Sequence, residues 1–247
     1  MQIQMDRKEK ILKVLALLKK EFKGLKTEPG KSDPLDVLIA TMLSQNTTDK
    51  TSYKAFVNLK ERFKDWYEVM EAPYTKVRDA IKVCGLANPK ARNIQRMLKE
   101  LKKEHGKLSL NHIKKMGNDE IYEELTKYNG VGVKTVSCVL VFSLARDVFP
   151  VDTHVHRVSN RLSLAHSKTP EKTFEQLKDI VPEGNKLALH TLLIRFGRKI
   201  CRAKNPLCNK CPLYDLCEFE EKEYYAGINK EIGVEPKENN FIILEHV

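Results

Sequence analysis

Four cysteines crowd into seventeen residues, Cys201, Cys208, Cys211 and Cys217, with the spacing C-x6-C-x2-C-x5-C. A C-x2-C step lets two thiolates converge on one centre, and the longer arms bring the other two around it. Zinc ribbons usually pair two short knuckles at larger separation. A compact run with one knuckle suits a cuboidal iron–sulfur cluster better, and zinc is the competing reading. Four unrelated buried thiols explain the spacing poorly. Cys84 and Cys138 lie outside the run in apolar segments and read as small core residues. The window 198–214 holds five cations and no acid. A loop pinned by a cluster would set Arg202 and Lys204 against phosphates, where the plain alternative is a solvated charge run.

The second candidate centre is Leu125-Thr-Lys-Tyr-Asn-Gly-Val-Gly-Val-Lys-Thr-Val136, a helix end, a tight turn and a helix start. Gly130 and Gly132 permit the turn and leave backbone N–H groups at the second helix's N-terminus, which favours phosphate. Lys134 in the first turn opposes the helix dipole, and that favours the neutral amine a nucleophile needs. A tolerated surface lysine is the bland alternative. Downstream, Asp152 in Phe149-Pro-Val-Asp-Thr-His154 stands just before another helix. Helix capping explains it by default, while a carboxylate near Lys134 would hold its ammonium, move its proton or stabilise an oxocarbenium-like centre. A metal site built on Asp152, His154 and His156 lacks further ligands.

These motifs together resemble one family. Arg195 to Phe219 resembles the [4Fe-4S] signature of the endonuclease III family of DNA glycosylases, and Gly-Val-Gly-Val-Lys-Thr followed by Pro-Val-Asp-Thr-His resembles the helix-hairpin-helix and Gly-Pro-Asp signature of its superfamily. Leu43-Ser-Gln-Asn-Thr-Thr-Asp49 and Gly85-Leu-Ala-Asn-Pro-Lys-Ala-Arg-Asn-Ile94 resemble two more family segments, so the similarity spans roughly residues 8–220. The resemblance implies Lys134 as nucleophile and Asp152 as catalytic carboxylate. It implies Asn46, with Gln45 beside it, as the residue filling the gap left by an extruded nucleotide, and Leu86 as a wedge. The bland readings are an amide in a helix-end turn and an ordinary core leucine. A monovalent cation on hairpin carbonyls is also implied.

The implied function is a bifunctional glycosylase and AP lyase of base excision repair, acting on double-stranded DNA with a damaged base or abasic site. Oxidised pyrimidines are the expected lesions. Tyr128-Asn129 and Val133 around the turn, and Asn at position 46, depart from the common pattern, and the string around Lys134 also resembles plant methylcytosine glycosylases. A glycosylase for mismatched, alkylated or methylated bases is therefore the alternative, and a non-catalytic iron–sulfur DNA-binding protein is the reading from another class.

Composition fits a nucleic-acid partner. Net charge is +11, and residues 215–247 carry nine acids against three bases, which leaves +17 on the first 214 residues. Abundant Lys and Glu also suit a plain soluble surface. With 41% hydrophobic and 31% charged residues, 247 residues can bury a core. Neither a membrane span nor a secretory signal is expected, so an intracellular monomer of cytoplasm or nucleoid is.

The elements that must position these residues are helical. An apolar stripe through Ile11, Val14, Leu15, Leu18 and Phe22 marks one helix, and Ser32-Asp33-Pro34 starts another through Leu43. Asp49 begins a third, and further segments fit 74–83, 89–104, 118–127, 133–146, 153–162, 170–180 and 185–199. Only Phe241 to Val247 alternates like a strand. The fold expected is all-α and two-lobed: a continuous helical domain, 28–146, ending in the hairpin, and a cluster domain of 1–27 plus 147–247 with the acidic tail. The substrate groove is expected between the lobes.

Overall fold

The computed structural model describes residues 5–24 and 32–228. In chain order the helices are α1 (Arg7–Glu21), α2 (Pro34–Ser44), α3 (Asp49–Arg62), α4 (Trp66–Glu71), α5 (Tyr74–Ala80) and α6 (Ala87–His105), then α7 (Asn118–Thr126), α8 (Val133–Leu144), α9 (Thr153–Arg161), α10 (Pro170–Leu177), α11 (Lys186–Lys199) and α12 (Lys222–Ile228). Short 3-10 turns occupy Lys82–Cys84, Asn111–Lys115, Cys208–Lys210 and Tyr214–Leu216. There is no strand among the described residues, as the sequence pattern leads one to expect. The strand-like segment 241–247 lies outside them, as does most of the acidic tail. The described residues fall into two compact units, 32–146 and 5–24 with 147–228.

In the first unit α2 is the central element. Val37 through Leu43 are all buried, so no face is left for water, and α3, α6 and α8 pack around it. Its start is set locally: Asp33 accepts hydrogen bonds from Leu35 N at 2.9 Å and Asp36 N at 3.3 Å, with Pro34 in the first turn. Helix α4 has no counterpart in the expected helices, because six residues are too few for a period to emerge. It is capped by Asp65 and anchored where Trp66 Nε1 donates to Asp36 Oδ1 at 2.6 Å. Helix α8 stops at Leu144, short of the expected 146. Ala145 takes a left-handed conformation there, and the Arg146 guanidinium turns back to donate to Met116 O at 3.1 Å.

In the second unit α11 is the central helix, with α1 and α9 against it. Ile11, Val14, Leu15 and Leu18 form the buried stripe of α1, while Phe22 is only half-buried at the helix end. Glycine at 197 allows the close approach of α9 to α11. A Cβ there would stand 3.1 Å from His154 Cβ and 3.2 Å from Arg157 Nη2. No described helix is long and apolar enough to cross a membrane.

Candidate active site

The hairpin is α7, a turn and α8. Tyr128 N bonds to Leu125 O at 3.3 Å and Val131 N to Tyr128 O at 3.0 Å, which folds the chain back within one turn. Gly130 has φ +85°, which favours glycine, and a Cβ there would lie 2.8 Å from Asn93 Nδ2, so that side-chain amide would have to move aside. Gly132 is different. It is the extended N-cap of α8, exposed, with nothing near its Cβ position, so there is room beside the start of that helix. Lys134 sits half-buried in that first turn. Tyr128 takes the place where the family pattern has leucine, and it serves as one. Only 2% exposed, it donates its hydroxyl to Glu104 Oε2 at 2.9 Å. Burial first and then Glu104 push that phenol well above the usual tyrosine range.

Of the DNA-contact candidates of this unit, the two non-glycine residues in left-handed backbone are Asn46 and Leu86. Asn46 is exposed with φ +52°, and Leu86, at φ +48°, is 56% exposed and not the core leucine of the bland reading. Leu86 is the N-cap of α6, and its left-handed backbone presents most of the side chain to solvent. Gln45 behaves differently from its neighbour, donating Nε2 to Gly130 O at 2.9 Å and so tying the end of α2 to the hairpin.

Lys90 was not legible as part of this arrangement. Residues 90–104 hold six basic side chains against two acidic, a pattern compatible with a DNA-facing helix or with plain solvent exposure, yet Lys90 is only 6% exposed. Its Nζ donates to Leu43 O at 2.8 Å and Cys84 O at 3.1 Å, and lies 3.6 Å from Cys84 Sγ. One ammonium therefore joins the chain just before Asn46 to the chain just before Leu86. Burial holds its pKa below the ordinary lysine value. Cys84, which has no assigned role in the sequence, is its neighbour, and burial raises that thiol. The remaining basic residues of α6 do include exposed ones, such as Arg92 and Lys99.

In the other unit Asp152 is half-buried at the start of α9. Its Oδ1 accepts from His154 N at 2.9 Å and Val155 N at 2.8 Å, so the capping role is present. A carboxylate held by two amides keeps one orientation, which a catalytic role also requires. Just upstream His190 Nδ1 meets Pro150 O at 2.8 Å in the core and fixes the entry.

The four cysteines form no disulfide and are all half-buried. They line one pocket with Arg161, Phe196, Ile200, Leu207 and Phe219, and no carboxylate or imidazole shares it. Burial, and then the charges of neighbouring thiols, push Cys208 up to about 11. Burial pushes Cys211 up to about 12. Thiolates so placed need cationic metal to form, and four thiols behind apolar walls fit a [4Fe-4S] cluster. Two arginines on α9 brace this pocket. Arg161 Nη1 donates to Cys201 Sγ at 3.3 Å and Arg202 O at 2.8 Å, and Arg157 donates to Cys201 O at 3.0 and 3.1 Å. The sequence marks neither. Helix α12, also unanticipated, sends Lys222 Nζ to Cys217 O at 2.8 Å. In the loop itself Lys204 is exposed, whereas Arg202 is half-buried with its Nε shut from solvent.

Residues 39–183 match the HhH-GPD superfamily of base excision DNA repair proteins, and this is the class that fold and motifs define. Endonuclease III of Thermotoga maritima is 38% identical over 189 residues, which cover 76% of this chain and 84% of that one. Endonuclease III of Escherichia coli is 34% identical over 218 residues, or 87% of this chain and 98% of that one. A solved endonuclease III–DNA covalent intermediate superposes with a TM-score of 0.76 at 30% identity, covering 89% of this chain and all of that one. The chain belongs to the endonuclease III family of that superfamily.

Proposed function

We propose that the chain is a bifunctional DNA glycosylase and AP lyase of base excision repair, with Lys134 as nucleophile and Asp152 as its partner carboxylate. The observation that carries this is Lys134 in the first turn of α8, directly behind the open N-cap glycine Gly132 and the left-handed Gly130. That a relative of 30% identity has been trapped covalently on DNA supports an enzyme nucleophile in the family.

The reaction asks each group for a defined act. Duplex DNA is held through phosphates at Gly130 and Gly132 and by Arg202 and Lys204, and is kinked so that the damaged nucleotide leaves the stack. Leu86 wedges into the duplex, and Asn46 fills the vacated space. The neutral Lys134 amine attacks the sugar's anomeric carbon, the glycosidic bond breaks, and the base leaves. Asp152 takes the proton the amine sheds or stabilises the cationic sugar. The ring C–O bond then opens, the ring oxygen leaving as a hydroxyl with a proton from the amine, and the Schiff base so formed acidifies the proton on the adjacent sugar carbon. Loss of that proton expels the 3′ phosphate by β-elimination, and water then hydrolyses the Schiff base to return the amine.

Residues 28–146 carry the nucleophile in this reading, and 1–27 with 147–247 carry Asp152 and the cysteines. A [4Fe-4S] cluster on Cys201, Cys208, Cys211 and Cys217 would supply a rigid anchor for the basic loop, since four protein ligands leave no open position. The hairpin carbonyls Tyr128 O and Gly130 O each accept one protein donor and keep a second lone pair for a monovalent cation, whereas Gly132 O already accepts two, from Thr135 N and Val136 N. The substrate proposed is damaged double-stranded DNA bound by a monomer, with oxidised pyrimidines preferred. A panel of modified duplexes, including mismatched, alkylated and methylated bases, assigns the base. Borohydride trapping tests the mechanism: wild type is expected to cross-link to a lesion duplex and Lys134→Ala is not. Undiminished trapping by the variant would end the lysine assignment.

A further inference from the structure

In the first unit α6 ends at His105, and the chain returns through the 111–115 turn. That return stacks His112 on His105 with ring centroids 4.1 Å apart and planes at 21°. Glu124 of α7 completes the group. Its Oε1 lies 3.1 Å from His105 Nε2 and 3.6 Å from His112 Nε2. All three side chains are half-buried, and one ligand-capable atom from each lies within 4.8 Å of the others. Both ring nitrogens of His112 are shut from solvent, and among the described residues they have the Glu124 carboxylate and the Ser109 backbone as polar neighbours but no hydrogen bond of normal length. An imidazole buried in that state is costly to the fold unless something else satisfies it.

We propose that His105, His112 and Glu124 bind one divalent transition-metal ion of zinc type. Two imidazole nitrogens and one carboxylate oxygen make a borderline-soft donor set, with water as the fourth ligand. Glu104 does not supply that ligand: its Oε2 is engaged by Lys127 Nζ at 2.9 Å and by the Tyr128 hydroxyl. Lys127 also holds Glu124 Oε2 at 2.9 Å, which leaves Oε1 to face the histidines and makes the carboxylate a one-oxygen ligand. The nearby ammonium repels a cation, so the site is one of moderate affinity. The ion would join the C-terminal end of α6, whose N-terminal end presents Leu86, to α7, the first helix of the hairpin. It would be a clamp and take no part in the chemistry.

The test uses the holoprotein with its iron–sulfur centre in place, titrated with Zn2+ alone by calorimetry while the visible absorbance of the centre is followed. Wild type is expected to take up one equivalent with that absorbance unchanged, and His112→Ala and Glu124→Gln are each expected to bind at least about tenfold more weakly. Because a variant can misfold, wild type is also followed by imidazole nitrogen–proton NMR. Zn2+ should shift the signals of two of the seven histidines, assigned to His105 and His112. No uptake by wild type, equal uptake by folded variants, or shifts at other histidines would each overturn the proposal.

Discussion

Replacing Leu86 by glycine separates the wedge role from any role in the fold. A leucine in the left-handed region costs about 1–2 kcal/mol, and glycine removes that cost. The extra freedom of glycine in the unfolded chain takes back about 0.5–1 kcal/mol. Leu86 is 56% exposed, so less than half of its surface is withheld from water. Deleting it therefore forfeits about 1 kcal/mol, a fraction of what full burial of a leucine contributes. These terms nearly cancel. Stability should stay within about 1 kcal/mol of wild type, a melting shift of at most about 2–4 °C for a chain of this size. DNA processing should not be spared. Unstacking a base costs a few kcal/mol, and a wedge supplying about 2 kcal/mol of it makes kcat/KM on a lesion duplex fall about 30-fold. The paired assays are thermal unfolding and single-turnover base release, run on duplex and on single-stranded substrate. On the single strand, where little stacking opposes extrusion, the defect should shrink toward wild type. A large drop in melting temperature would make Leu86 a packing residue, and full activity on the duplex would remove it from the DNA interface.

Lys90→Met leaves Leu43 O and Cys84 O without their shared donor, so it should destabilise the protein by about 2–4 kcal/mol and weaken duplex processing; unchanged unfolding would show that the two carbonyls find other partners. Gly130→Ala should cost about 1–2 kcal/mol from its φ alone. The clash with Asn93 adds to that, and only the added part should be relieved in the double variant with Asn93→Ala. Arg161→Met removes the donor to Cys201 Sγ, so loss of the visible absorbance to an iron chelator should run about 10–100-fold faster than in wild type. Equal bleaching would deny that bond a role. Lys127, through its hydrogen bond first, holds Glu104 below the ordinary carboxylate value, and it does the same for Glu124 against the opposing effect of burial. Carboxyls with lowered folded-state values add stability that is present above the unfolded value and lost as pH falls through the folded one. Lys127→Met should therefore flatten the acid limb of the stability curve below the carboxylate range by no more than about 1 kcal/mol, read as melting temperature against pH. A curve parallel to wild type would contradict the pairing.

Much of the candidate site was legible because it is written within single elements. Four cysteines in one short run, a lysine one turn past a glycine pair, and an aspartate ahead of a helix are local patterns, and local physics reads them: ligand spacing, left-handed turns and capping. The helices α2, α6, α8, α9 and α11 follow from periodicity and end signals, as does the absence of strands among the described residues. Short elements such as α4 carry no period and stayed hidden.

What only the tertiary structure decided concerns partners far apart in sequence. Leu86 could have been core, and is exposed because it stands just past the packed Lys82–Cys84 turn, where a left-handed backbone opens α6. Lys90 could have been a surface cation, and is buried because carbonyls from α2 and from that turn converge on its ammonium. Gln45 is committed to Gly130, Arg157 and Arg161 brace Cys201, and His105, His112 and Glu124 meet from three separate elements. Sequence specifies which groups each element carries and which way its own turns run. Burial and pairing are set by what another part of the chain brings to the same place, and that depends on the packing of every helix at once.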